Sequence, residues 1–372
     1  MQIVFQKVLT LSIEKCKLGS MHTCAERGHM PYTIKDIAKQ AGVSHTTVSR
    51  ALHNSPLIST QTTQRIHEIA DRVGYHPSAA ARSLKTNRSQ VLGVIVSHIA
   101  DPFFSEVLQG IDDVAQESGY SLFIASAQHN PDRENTIVQT MREHRVDGVI
   151  LCSPHFTPEQ CHQLSSYNIP IVAINNQSEE EFPFSIYHDD ADGSRQVTQH
   201  LISLGHRKIS YLGDSLSGRT TRQRLSGFIQ TMQEFDLPVM QEYIHQVPGN
   251  NAAQGLEWVD SLLHLRDKPT SVICYNDMMA VGVLKGLKKA GLIVPDDISV
   301  TGFDNILVSD YTQPPLTTID QPKRFLGAEA GRMMLSQLRE KVDPDMDGTL
   351  IKHLKGMLII RKSTSPPPKE NR

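Results

Sequence analysis

His45, Thr46, Thr47, Ser49 and Arg50 share one short segment, "SHTTVSRAL", in which Val48, Ala51 and Leu52 recur at helical spacing. A helix built this way buries those apolar positions and turns His45, Thr46, Ser49 and Arg50 outward. Such side chains suit base edges: an arginine makes two parallel hydrogen bonds to guanine, and imidazole and hydroxyl groups donate or accept at bases and phosphates. The competing reading is an exposed polar face with no partner. Charge argues against it, because residues 31–90 hold eight Lys and Arg against three acids while residues 91–372 carry a net −10. A basic module on an acidic body is suited to binding a polyanion.

A second group of chemistry-bearing residues follows short apolar runs. Asp101, Phe103 and Phe104 come after "VLGVIV", Asn175 and Asn176 after "IVAI", Asn276 and Asp277 after "SVICY", and Asp304 closes "SVTGF". Carboxylates and amides beside an aromatic face suit a hydroxylated ring. Each also has a plainer role, since Asp or Asn at a strand end often only caps the next helix, and Asn276 is the clearest such case. The acidic cluster Asp189, Asp190 and Asp192 fits a solvated helix start better than a cation site.

The elements that must position these groups are legible from their punctuation. Thr33, with Asp36 three residues on, starts a helix through Ile34, Ile37, Ala38 and Ala41 that stops at Gly42. Ser44 caps the segment described above, and a third helix runs from near Ser59 through Ile66, Ile69 and Ala70 to Gly74. Together they form a small helix-turn-helix bundle, marginal on its own core, whose second helix enters the major groove. Residues 78–84 are alanine-rich but too short to be helical unaided. From Val91 onward, strand and helix alternate through "VLGVIV", "LFIA", "VIL", "IVAI", "ISYLG", "SVICY" and "SVTGF", enough for two doubly wound parallel sheets. The Pro-rich, charged end from Ser363 is expected to be disordered.

Other classes are excluded by what is missing. No apolar run reaches the ~18 residues a membrane helix needs, and the first 19 residues lack a signal-peptide core, so a cytoplasmic protein without a membrane partner is expected. The five cysteines have no CxxC pair and read as free thiols. There is no GxxxxGK[ST], no GxGxxG or GxSxG after a strand, and no HExxH, so no catalytic residue, cofactor or metal is expected.

"TIKDIAKQAGVSHTTVSRAL", "GYHPSAAARSL" and "LGVIV", followed by "RLSGF", "NDMMAVG", "GFDN" and "LTTIDQP", resemble the LacI/GalR family of bacterial regulators from Thr33 to about Lys362. The resemblance implies a helix-turn-helix headpiece at 31–76, a hinge helix and linker at 77–90, and a periplasmic-binding-protein-like α/β core at 91–362. Within that core, 91–188 with 321–345 would form one Rossmann-like subdomain and 189–320 with 346–362 the other, leaving 363–372 as the tail.

By the same resemblance His45, Thr46 and Arg50, with Thr47 and Ser49 beside them, contact operator DNA. Ser78 and Ala81 lie on the hinge, and Leu84 is the wedge in the minor groove. Arg224 of "RQRLSGF" joins Asn276 and Asp304 as effector ligands, completing a set of Asp101, Phe103, Phe104, Asn176, Arg224, Asn250, Asn276 and Asp304. Family members often place a large aromatic where this chain has Gly249, Asn250 and Asn251, which favours a sugar or sugar acid over a purine. Trp258 lies deeper in that helix and is expected to pack.

The function implied is a homodimeric repressor on double-stranded, pseudo-palindromic operator DNA, controlled by a small molecule. Alternatives are a catabolite-control regulator with a phosphocarrier protein as corepressor, or a solute-binding protein or enzyme without DNA function. The last of these sits poorly with the basic headpiece. Residues 1–30 precede the family's usual start, near Met30, and are expected to be a disordered arm or a misassigned start.

Overall fold

The computed structural model describes residues 32–75, 88–128, 130–152, 159, 162, 166, 169–178, 182–339 and 349–369. The chain divides into two compact units, one up to Arg82 and one from Ser83. The expectations for residues 1–30 and for Ser78, Ala81 and Leu84 fall outside the described residues.

The first unit is the three-helix bundle. Helix α1 is Ile34–Ala41, α2 is His45–Leu52 and α3 is Thr60–Arg72. The Asp36 carboxylate accepts from both the Thr33 backbone N–H (2.8 Å) and its hydroxyl (2.7 Å), which closes the first turn and lowers the Asp36 pKa. Ser44 and Ser59 cap the other two helices by accepting from Thr47 N–H at 3.1 Å and Thr62 N–H at 3.3 Å. Gly42 ends α1 at φ +66°, a left-handed turn that a side chain would strain. Ile37, Val48, Ala51 and Ile66, all wholly buried, form the centre of this core.

The second unit contains two parallel sheets. The first lobe begins with β1 (Val91–Val96), α4 (Pro102–Glu117), β2 (Ser121–Ser126), α5 (Pro131–Glu143), β3 (Gly148–Cys152), β4 (Ile171–Ile174) and β5 (Phe184–His188). The second lobe comprises α6 (Asp190–Ser203), β6 (Ile209–Asp214), α7 (Gly218–Glu234), β7 (Ile244–Val247), α8 (Ala252–His264), β8 (Ser271–Cys274), α9 (Asp277–Lys289), β9 (Ser299–Thr301), α10 (Val308–Tyr311) and β10 (Thr318–Asp320). Helix α11 (Lys323–Arg339) and β11 (Leu350–Leu354) return to the first lobe, and β12 (Met357–Ile359) pairs antiparallel with β10.

The sheet orders are β11-β5-β4-β3-β1-β2 and β7-β6-β8-β9. Each reverses direction once, at β1/β3 and at β6/β8, and the loops leaving the carboxyl ends there form the natural ligand crevice. Helices α4 and α11 cover one face of the first sheet and α5 the other, burying Val94, Ile150 and Ile174 on one side and Ile95, Val149 and Leu151 on the other. Trp258 is buried against Leu212, Val259 and Met279, as its place in α8 predicts.

Two expectations need correction. Strand β11 pairs parallel with β5, Leu350 opposite Phe184 through Leu354 opposite His188, so residues 350–354 belong to the first lobe rather than the second. Such a pairing spans more than 160 residues and has no local signal. The end of the chain is also ordered as far as residue 369: Val300 N–H donates to the Ser363 carbonyl at 2.9 Å, and the Ser363 hydroxyl donates to the Val300 carbonyl at 2.6 Å. Ser365 accepts from His206 and donates its N–H to Ser299. The serines and carbonyls of this segment satisfy the free edge of β9, outweighing its disorder-prone composition.

Three crossovers join the lobes: His188–Asp190, Asp320–Lys323 and Leu354–Met357. They touch one another, because Asp189 N–H donates to Leu354 O at 2.8 Å and a Cβ on Gly356 would lie 2.6 Å from His188 Nε2 and 2.7 Å from Asp320 O. No side chain fits at Gly356 without displacing a neighbouring strand.

Candidate DNA-binding and effector sites

In the bundle, α2 turns Val48 and Ala51 inward and leaves His45, Thr46 and Arg50 exposed. Ser49 is half-buried on the same side. Thr47 is drawn into the cap, its N–H and hydroxyl both bonded to the Ser44 hydroxyl, so it holds the helix start while only partly facing out. The exposed row is therefore His45, Thr46 and Arg50, with Ser49 alongside.

A cavity of about 400 Å³ lies between the lobes of the second unit. The first lobe contributes Ser97, His98, Ala100, Asp101–Phe104, Asn175 and Gln177, and the second contributes Asp214, Thr220, Arg224, Gly249–Asn251, Gln254, Tyr275, Asn276 and Asp304, with Gln321 on a crossover. Of the effector set read from sequence, Asp101, Phe103, Phe104, Arg224, Asn250, Asn276 and Asp304 all reach this cavity. Asn176 does not line it; its carboxamide oxygen is turned to Ser178, accepting from N–H and hydroxyl at 3.2 and 2.9 Å. Its neighbour Asn175 takes the place, at φ +48°, while its Oδ1 accepts from His188 N–H at 2.8 Å.

Several of these residues cap and line at once. Asp101 accepts from Phe103 N–H at 3.0 Å to start α4, and Asn276 accepts from Met279 N–H at 2.8 Å to start α9. The capping bond occupies the Asn276 oxygen and leaves its amide N–H2 for the cavity.

Arg224 is the centre of the polar network. Its Nε donates to Asp190 Oδ1 at 2.8 Å, Nη1 donates to the Tyr275 carbonyl, and Nη2 lies 3.9 Å from Asp304 Oδ1. The guanidinium lies 3.7 Å from the Phe303 ring centre and 4.7 Å from that of Tyr275, both favourable cation–π placements. Burial alone would raise Asp190, but Arg224 and His188 outweigh it and hold that carboxyl below its ordinary value. Asp190 is thus a buried partner of Arg224, not part of a solvated helix start. Asp189 and Asp192 are engaged in capping and with Arg195, and the described residues contain no group of three or more metal-ligating side chains.

Asp304 differs from Asp190. Burial raises it well above the carboxylate range, Arg224 only partly offsets this, and the nearby carboxyls of Asp277 and Asp101 push it further up. Its Oδ1 accepts from Gln321 Nε2 at 2.6 Å, and Lys323 Nζ donates to its carbonyl at 2.6 Å, tying this loop to a crossover. Asp277, pushed up to about 7 chiefly by burial, bonds Thr318 and the Ile306 N–H and holds the same loop.

Sequence reasoning missed Gln177, Thr220, Gln254, Tyr275 and Gln321. Gln177 joins the lobes directly: its amide donates to Thr220 Oγ1 at 2.9 Å and accepts from Thr220 N–H at 3.1 Å. Its place in the run Asn175-Asn176-Gln177 was the only sequence signal, and nothing there distinguishes the three.

The two units, their folds and their sites define a ligand-binding transcription regulator, and the comparisons agree. The chain belongs to the LacI family of bacterial regulators: residues 33–78 match "Bacterial regulatory proteins, lacI family" and residues 89–354 match "Periplasmic binding proteins and sugar binding domain of LacI family". The family consists of transcription regulators, not enzymes, and this chain is a DNA-binding transcriptional repressor of that kind.

Among relatives, the HTH-type transcriptional repressor PurR of Actinobacillus pleuropneumoniae is 34% identical over 308 residues, 82% of this chain and 91% of that protein. PurR of Mannheimia succiniciproducens is 34% identical over 332 residues, 89% and 98% respectively. The lac repressor dimer bound to operator and the anti-inducer ONPF superposes with a TM-score of 0.80 at 27% identity, covering 90% of this chain and 99% of that one. A LacI-family regulator of Enterococcus faecium with bound ribose gives 0.66 at 26% identity, over 74% and 99%.

Proposed function

We propose that the chain works as a homodimer whose α2 helices read operator bases through His45, Thr46 and Arg50, and whose core takes a carbohydrate effector in the interlobe cavity. The observation that carries this reading is that the cavity walls come from both lobes, between which the chain passes by three short crossovers. A ligand touching both walls binds one lobe arrangement better than others, and that difference is what shifts the population. Asp101, Arg224, Asn276 and Asp304 beside Phe103 and Phe104 suit a hydroxylated ring, and the ribose held by the Enterococcus faecium regulator supports that class. The change would reach DNA through the segment holding Ser78, Ala81 and Leu84, in a protein residing in the cytoplasm on its operator.

The test is calorimetric titration of the full chain with sugars, sugar acids and nucleobases, each followed by operator binding. One compound should bind and change operator affinity at least fivefold, the low end of typical allosteric coupling at about 1 kcal/mol. A binder that leaves operator affinity unchanged overturns the regulatory reading.

Two further results are expected. Arg50→Ala should cost about 1–3 kcal/mol of specific operator affinity, the worth of a bidentate guanine contact, with little loss on random DNA. Equal losses on both, measured by anisotropy at fixed salt, would reassign Arg50 to phosphates. Exposed apolar residues at the start and along α10, Leu307 (76% exposed), Val308 and Tyr311 (74%), support a dimer face there. Leu307→Asp with Tyr311→Asp should sediment as a monomer and lose operator affinity; a persisting dimer would move the interface elsewhere.

A further inference from the structure

Helix α7 begins without a side-chain cap from its own lobe. Ser217 stands at the capping position, yet its hydroxyl donates to the Asp214 carboxylate instead of accepting from the helix. The N–H groups of a helix start need partners, and two of them find theirs in the other lobe. Gln177, just beyond β4, accepts from Arg219 N–H through its backbone carbonyl at 3.2 Å and from Thr220 N–H through its side-chain oxygen at 3.1 Å. A helix of the second lobe is thus capped by a residue of the first.

The same turn makes two further contacts across the cleft. The Arg219 guanidinium carbon lies 4.2 Å from the ring centre of Tyr187 on β5, a cation–π placement. That ring is fixed from its own sheet, because Tyr187 lies opposite His353 in the pairing of β5 with β11 and stacks on its imidazole at 5.4 Å and 21°. Tyr187 is buried, and its hydroxyl makes no hydrogen bond among the described residues, so the ring face is what Arg219 meets. Gly218 rests directly on Gln177: a Cβ there would come within 2.3 Å of the Gln177 carbonyl oxygen.

We infer that the first turn of α7 is a clasp between the lobes, with Arg219 as its positioning residue, and that it sets operator affinity before any effector binds. Parting the lobes uncaps two N–H groups of α7 and takes the cation from the Tyr187 face, so the clasp favours one lobe arrangement through protein contacts alone. Gln177 and Thr220 also line the cavity, so an effector acts on a balance that the clasp has already set. The inference rests on the regulatory reading above, in which lobe arrangement governs operator binding, and adds the contact that fixes its starting point.

The experiment opens the clasp in two independent ways in the full chain. Arg219→Leu removes the cation; Gly218→Ala favours the helix locally but wedges it off Gln177. Hydrogen exchange of the α7 first turn, read by mass spectrometry, should quicken at least about fivefold in both, a modest share of what a cation–π pair and a cap contribute together. Operator affinity without effector, read by anisotropy at fixed salt, should shift at least about fivefold in both and in the same direction. A fall makes the clasped arrangement the operator-binding form, and a rise makes it the releasing form. Tyr187→Phe keeps the ring face and should match the native protein. Tyr187→Leu should mimic Arg219→Leu, and combining the two should add little, since both remove one contact. Urea unfolding of each variant separates loss of the clasp from loss of the fold. Unchanged exchange, opposite shifts in the two opening variants, or an Arg219→Leu effect undiminished beside Tyr187→Leu overturns the clasp. Quickened exchange with unchanged operator affinity overturns the inference differently, by removing the regulatory reading beneath it.

Discussion

Arg224→Met should lower the stability of the second unit by about 3–5 kcal/mol at neutral pH, because it leaves Asp190 buried with its main counter-charge gone. Urea unfolding followed by circular dichroism measures the loss, and a change under about 1 kcal/mol would show that water or rearrangement replaces the guanidinium. The pH dependence has a definite sign. In the native protein Asp190 is held below its ordinary value, so its contribution is fully present above the unfolded aspartate pKa and is lost as pH falls through the lower folded value. In the variant burial dominates and the folded value rises, so Asp190 takes up a proton and the cost is relieved in acid. The deficit should therefore be smallest below about pH 4 and grow as pH rises. Effector response should vanish as well, since Arg224 also lines the cavity.

Ile66→Ala should remove operator binding while leaving the core intact. Ile66 is wholly buried in a cluster whose fully or mostly buried members are Ile37, Ala38, Ala41, Val48, Ala51, Ile69 and Ala70. Truncating such a residue costs about 2–5 kcal/mol, comparable to the whole stability of so small a bundle. Calorimetry should show the headpiece transition lost and that of the second unit unmoved, with operator affinity reduced to background. Retained operator binding would mean that DNA contacts supply enough free energy to fold the bundle.

The headpiece was legible in sequence because its signals are local. Thr33, Ser44 and Ser59 cap, Gly42 stops, and Ile37, Val48 and Ile66 fall on the inner faces at helical spacing. The strands were legible for the same reason, as apolar runs bounded by polar residues. The cavity was half legible. That polar residues after β1, β4, β8 and β9 converge follows from the switch-point rule, but which of two neighbours turns inward depends on backbone torsion. Asn175 rather than Asn176 is the example, decided by a left-handed φ. Asp190 was misread because its partner lies 34 residues away on another helix. The pairing of β11 with β5 and the docking of Ser363 on Val300 were invisible because both depend on edges that exist only once the sheets are assembled.

The crowding at Gly356 bears on how such a protein can change over generations. Position 356 admits no side chain, so mutations that alter the pivot itself are costly. Much of the cavity lining, at 97–104, 214–220 and 248–251, lies at the ends of strands and helices away from the crossovers, so substitutions there leave the crossovers untouched. A lineage can therefore explore new chemical signals by altering those positions while inheriting the pivot unchanged.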